Sequence, residues 1–184
     1  MKGNAHDMKT QRLDEVLGLV QARIAEAQRG PVERFVGHYF GQVDPEDLAA
    51  RAPADLYGAA LSHWNFARRR DSGSARVRVF NPSIEEHGWQ STHTIIEIVN
   101  DDMPFLVDSV TMEVNRHGLT LHLIVHPIVA VVPAADGTLA DVAPEDARDG
   151  RRESFIHVEV DRLIEPARLD ALARDVARVL CDVR

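Results

Sequence analysis

Cysteine is nearly absent: Cys181 is the single one in 184 residues, so no disulfide can close within the chain. A reducing compartment is the expectation, and Cys181, set in an apolar helical pattern, reads as a small hydrophobe rather than a nucleophile. Long apolar runs are missing too. None reaches the roughly twenty residues a bilayer-crossing helix needs, and the opening MKGNAHDMKTQRLDEV has no signal-like apolar core, so a cytoplasmic location is expected. Positive charge is in deficit: the net charge of −8 and pI of about 5.5 argue against nucleic acid or an anionic membrane as partner. The clusters Arg68-Arg69-Arg70 and Arg151-Arg152 stand beside acidic residues in loop-like settings and read as solvated charge. No phosphate-cradling glycine loop, Gly-x-Ser-x-Gly turn, paired cysteines or dinucleotide fingerprint is present, and no catalytic residue is assigned. Aromatics make up only 5%, yet 45% hydrophobic and 27% charged residues describe an ordinary globular chain.

What is there falls into two halves. Over residues 1–73 the pattern is helical, with Leu13, Val16, Leu17, Val20 and Ile24 recurring at spacings of three and four. Gly30-Pro31 is expected to stop that helix, Asp44-Pro45 and Ala52-Pro53 to open two more, and Asp71-Ser72-Gly73-Ser74 to mark a boundary. Over 74–184 the period changes. Val77-Phe80 and Thr92-Val99 read as strands, Pro104 to His117 as a helix with a glycine exit at Gly118, and Leu119-Val132 as one long strand. Pro133 to Arg152 is a polar excursion with a turn at Asp136-Gly137, Phe155-Val160 is a strand, and Pro166 opens a last helix.

This order predicts an α+β fold, a ferredoxin-like βαββα(β) sandwich preceded by a helical segment. The usual fourth strand after the last helix is missing. Either the chain is a fragment of a longer one, which the apolar end Cys181-Asp182-Val183-Arg184 favours, or Val77-Phe80 fills the vacant edge. Strict alternation puts Leu119, Leu121, Leu123, Val125 and Val129 on one face, under the helices. The other face carries His122, Ile124, His126, Phe155, His157 and Glu159, a candidate interface. Covering helices or solvent, a docked domain or second copy, and a histidine-based metal site are its three readings, in that order. His122 and His126 themselves would lie roughly 13 Å apart on a strand, too far for one zinc ion, and no metal ligands are assigned.

The stretch Asn100-Asp101-Asp102-Met103-Pro104-Phe105-Leu106 joins strand to helix. One aspartate is explained as a helix cap, and a second suggests contact with a small polar ligand at the amides of the helix start.

Several stretches resemble a known family: HYFGQVDPEDLAAR, DLYGAALSHWNFARRR, SFIHVEVDR and RVRVFNPSIEEHGWQSTHTIIEIVNDDMPFLVDSVTMEVNRHGLTLHLIVHPI. They are similar to the N-terminal, ACT-like region of the large bacterial NAD-specific glutamate dehydrogenases. The resemblance implies a non-catalytic regulatory or assembly module of an enzyme that converts L-glutamate, NAD and water to 2-oxoglutarate, ammonia and NADH. NAD would bind a downstream domain of the same polypeptide and not this chain. It further implies an amino-acid effector held by Asn100 to Leu106, or else pure docking, and a homo-oligomer. Phe105 stands where many ligand-binding ACT domains have glycine, which favours docking.

Overall fold

The computed structural model describes residues 2–68, 70, 73–143 and 151–183. Four helices lead: α1 (Lys2–Arg23), α2 (Glu26–Phe40), α3 (Pro45–Ala49) and α4 (Pro53–Ala67). The break falls at Ile24-Ala25, where Arg29 Nε donates to the Ile24 carbonyl at 2.8 Å, and not at Gly30-Pro31. Proline normally bars the helical conformation to the residue before it by colliding with its Cβ, but Gly30 has none, so Pro31 is accommodated inside α2. The other punctuation holds: the Glu46 amide donates to Asp44 Oδ1 at 2.8 Å, and prolines stand in the first turn of α3 and α4.

Six antiparallel strands follow: β1 (Arg76–Phe80), β2 (Thr94–Asp101), β3 (Leu121–Val125), β4 (Ile128–Pro133), β5 (Leu139–Val142) and β6 (Arg151–Val160). Between them and after them lie α5 (Ile84–His87), α6 (Leu106–Arg116) and α7 (Pro166–Asp182). The long central β6 pairs with β2 on one side and, on the other, with β3 along its second half and β4 along its first. The single strand expected from Leu119 to Val132 is thus interrupted at His126-Pro127, where proline has no amide to donate. β1 lies antiparallel on the free edge of β2, from Arg76 opposite Val99 to Phe80 opposite Ile95, so Val77–Phe80 fills the vacant edge. The arrangement is the expected ferredoxin-like α+β sandwich with a helical lead. The polar excursion is in part a hairpin of β4 and β5 around the Asp136-Gly137 turn. Its residues 144–150, like Arg69 and the boundary residues Asp71 and Ser72, lie outside the described set.

The sheet is covered on both faces. Ile96, Ile98, Ile156, Val158 and Val160 pack against Leu106, Val110 and Val114 of α6 and Leu172, Val176 and Leu180 of α7. On the opposite face Val99, Leu123, Val125, Val129 and Phe155 share one core with Val16, Val20, Phe35, Tyr39 and Trp64 of the leading helices. Simple alternation fails in β3. The register shifts between Leu121 and Leu123, which leaves His122 as the extra residue of a bulge. Leu121 and Ile124 therefore pack toward α6 and α7, whereas Leu123 and Val125 face the leading helices.

Candidate functional site

The strand–helix turn is built from the end of β2, the segment Asp102 to Phe105, and the first residue of α6, Leu106. The helix begins two residues beyond Pro104, and neither aspartate caps it. The capping position is Phe105, at φ 66° and ψ 8°, with no side-chain bond to the helix amides. It is the one non-glycine with positive φ among the described residues, and its ring is 70% exposed.

Both carboxylates have other work. Asp101 Oδ1 accepts from Arg70 Nη2 at 2.6 Å, and Arg70 Nη1 donates to Glu153 Oε1 at 2.7 Å. Asp102 Oδ1 accepts from Ser154 Oγ at 3.0 Å, while its amide donates to the Arg152 carbonyl. The turn is fastened to β6 and to the end of α4. Arg70 is consequently not solvated loop charge but a buried cation between two carboxylates, and Arg151, now in β6, pairs with Glu153 at 2.6 Å. The partners Arg70, Glu153 and Ser154 stand 31, 83 and 52 positions from the groups they meet, beyond any local spacing rule. Asn100 is buried opposite Ser154, and neither its amide nitrogen nor its oxygen has a partner among the described residues. Leu106 is buried, and Met103 packs at the edge of the same core.

The six residues expected on the outer face do not form one surface. Phe155, His157 and Glu159 are buried beneath the leading helices, so this chain covers them itself. Ile124 faces the other way, because the bulge reverses the alternation. His122 is displaced outward: its Nε2 meets Asp161 Oδ1 at 2.8 Å and its ring lies 4.3 Å from that of His93. His126 is half-buried, and burial lowers its pKa.

Under the helices lies a polar group that sequence reading missed. His63 of α4 is fully buried; its Nε2 donates to the Ile98 carbonyl at 3.0 Å, so Nδ1 is the acceptor for the Tyr39 hydroxyl at 2.9 Å. Burial holds His63 well below the usual imidazole range and Tyr39 well above the phenolic one. Glu97 Oε2 accepts from Arg78 Nε at 2.7 Å, and burial pushes this carboxyl up despite the arginine. Glu159 would also be raised by burial, but His157 and Arg51 hold it down at about 2. Beside these residues a cavity of about 510 Å³ opens between α2, α4 and the segment before β2, reaching exposed Gln90 and Thr92.

At the strand–helix junction, where a dinucleotide needs glycine for close backbone approach, the chain has Asp-Asp-Met-Pro-Phe. Among the described residues no helix is long and apolar enough to cross a membrane.

The family model for the glutamate dehydrogenase ACT1 domain matches residues 35–176. The NAD-specific glutamate dehydrogenase of Halomonas elongata is 44% identical over 167 residues, covering 90% of this chain and 10% of that protein. The NAD-specific glutamate dehydrogenase of Pseudomonas aeruginosa is 39% identical over 155 residues, 83% of this chain and 10% of its own length. That of Mycobacterium tuberculosis is 25% identical over 160 residues, again 10% of its length. The chain therefore spans about a tenth of the length of these relatives.

Proposed function

The chain belongs to the glutamate dehydrogenase ACT1 domain family, and on that premise we propose that it is a non-catalytic regulatory and assembly module of a NAD-dependent glutamate dehydrogenase. Oxidation of L-glutamate to 2-oxoglutarate, with its NAD site, belongs to further domains of the same polypeptide, acting in the cytoplasm as a homo-oligomer. The division at residue 73 separates a helical layer from a sheet layer. The β2–α6 turn is the recognition element.

The observation that carries this reading is Phe105. It is strained in the left-handed conformation and its ring is in water, at a helix start whose amides no side chain caps. Backbone strain persists only where the surrounding structure holds it, and such positions cluster at ligand clamps and switch regions. Asp101 and Asp102 serve the fold, which favours docking of a neighbouring domain over capture of a small effector. The effector reading keeps one support: the unpartnered amide of buried Asn100 at the same turn.

Thermal melting separates the two. An amino acid held at the turn raises the melting temperature saturably at millimolar concentration, by the linkage that favours any ligand of the native state. It does so more strongly in Phe105→Gly, which opens the approach. No shift with any of the twenty amino acids, in either protein, removes the effector reading. Docking is tested in the longer polypeptide. There Phe105→Asp should loosen the contact between this module and the rest, seen as faster proteolysis between domains, and unchanged proteolysis sinks it.

A further inference from the structure

On the face away from the turn, Glu97 and His157 stand directly opposite each other on β2 and β6, with His63 above them on α4. Candidate ligand atoms of all three lie within 4.8 Å of one another, and all three residues are buried. Glu97 Oε1 and His157 Nδ1 have no hydrogen-bond partner, so they do not bond each other. A carboxylate oxygen and a ring nitrogen, both out of water and both without a partner, are each costly to leave unsatisfied in a cluster this close.

The surroundings define its chemistry. His63 Nε2 is committed to the Ile98 carbonyl, which turns the lone pair of Nδ1 inward. His157 Nε2 faces Glu159 Oε1 at 3.7 Å, which leaves its Nδ1 as a second lone pair. Glu97 Oε2 is held by Arg78, and Oε1 is the third. His63 and Glu97 are thus oriented by outer hydrogen-bond partners, a carbonyl and a guanidinium, and His157 has a carboxylate 3.7 Å from its Nε2. Protein metal sites fix their ligands in this way. Glu97 and Glu159 are nearly wholly buried, whereas the arginines paired with them are a third and a fifth exposed.

We propose that His63, Glu97 and His157 form a divalent-cation site, suited to zinc, between the leading helices and the sheet. Two neutral imidazoles and a carboxylate are a zinc ligand set, and His157 of the three also lines the cavity, beside Tyr39. Bonds of about 2.0–2.1 Å place tetrahedral ligands roughly 3.4 Å apart, so atoms that lie within 4.8 Å of one another close by up to about 1.4 Å, and the Tyr39 hydroxyl yields Nδ1 of His63. The cavity, reaching exposed Gln90 and Thr92, supplies the entry path. The site ties α4 to β2 and β6, and it stands independently of the regulatory reading.

Zinc and cobalt binding to the 184-residue protein test it, zinc by competition with a chromophoric chelator and cobalt by its visible d–d bands. The expected result is one ion per chain, weakened at least tenfold in Glu97→Gln and His157→Gln. Binding should be unchanged in His117→Ala, which disables the partly buried group Glu113, His117 and Asp175. Because a buried variant can fail to fold, the unaltered protein carries a second readout: zinc raises the melting temperature of chelator-treated protein and cobalt gives four-coordinate bands. Absence of both, meaning that only water fills the gap, overturns the proposal. Binding that His117→Ala abolishes overturns it equally.

Discussion

Phe105 bears two costs at once, a left-handed backbone and an aromatic ring 70% exposed. For a residue with a Cβ the left-handed conformation costs roughly 1–2 kcal/mol, and glycine escapes it. Phe105→Gly should therefore stabilise the isolated protein by about 1 kcal/mol in urea unfolding, whereas Phe105→Ala, which keeps a Cβ, should gain little. A loss in Phe105→Gly would show that the ring makes contacts worth more than the strain. Asp161 is a second residue whose environment sets a measurable sign. The Thr120 amide at 2.7 Å and His122 at 2.8 Å hold its carboxyl down at about 2 and pin the bulged start of β3. Its folded pKa lies below the ordinary value of 3.8, so its contribution is present above that pH and lost as pH falls toward about 2. In melting curves from pH 5 to 2, Asp161→Asn should start less stable, and that margin should close as pH falls. A margin that does not change with pH would remove the carboxylate from the account.

Among the elements, α4 meets the α5–β2 connection at Gly58, where an added Cβ would lie 2.2 Å from Cβ of Trp89. Helix propensity alone predicts that Gly58→Ala gains up to about 1 kcal/mol. Packing reverses the sign, because neither Cβ can rotate away, and a net loss of roughly 2–3 kcal/mol in urea unfolding is expected. A gain instead would mean that α4 does not bear on Trp89. Elements with strong local chemistry were legible in the sequence: Asp44-Pro45, Ala52-Pro53 and Pro166 marked helix starts, and the β-branched run Thr92–Val99 marked a strand, which begins two residues later, at Thr94. Features fixed by distant partners were not. The β3 bulge depends on Asp161, the fate of Arg70 on Glu153 and Asp101, and nothing in Gly30-Pro31 shows that the helix break precedes it. The candidate site was legible as a stretch, Asn100 to Leu106. Its working was not, since a cap was expected from one aspartate and a ligand contact from the other, whereas tertiary partners had claimed both, and Phe105 is a residue type that gives no local sign of positive φ. His63 and Glu97 escaped notice because each sits singly in an apolar pattern, and only the pairing of β2 with β6 beneath α4 brings them to His157.

At the scale of the molecule, the two halves divided at residue 73 share one core. The ring of Phe35 lies 5.1 Å from Trp64 in the helical half and 5.1 Å from Phe155 in the sheet half. The family match, residues 35–176, likewise runs across the division. Without α1, α2 and α4 the sheet would expose Ile95, Val99, Leu123, Val125 and Phe155 together with Glu97 and His157. An apolar face of that extent interrupted by a carboxylate is not stable in water as a monomer. The whole chain should therefore unfold in a single urea transition, with Trp64 and Trp89 fluorescence and far-ultraviolet circular dichroism coincident. Residues 74–184 expressed alone should bind a hydrophobic dye, self-associate and lose the sharp transition, and co-expressed 1–73 should restore a soluble complex. A monomeric, cooperatively melting 74–184 would instead establish that the sheet and its two helices fold without the leading segment, and would make the helical layer a removable cover over the buried histidines.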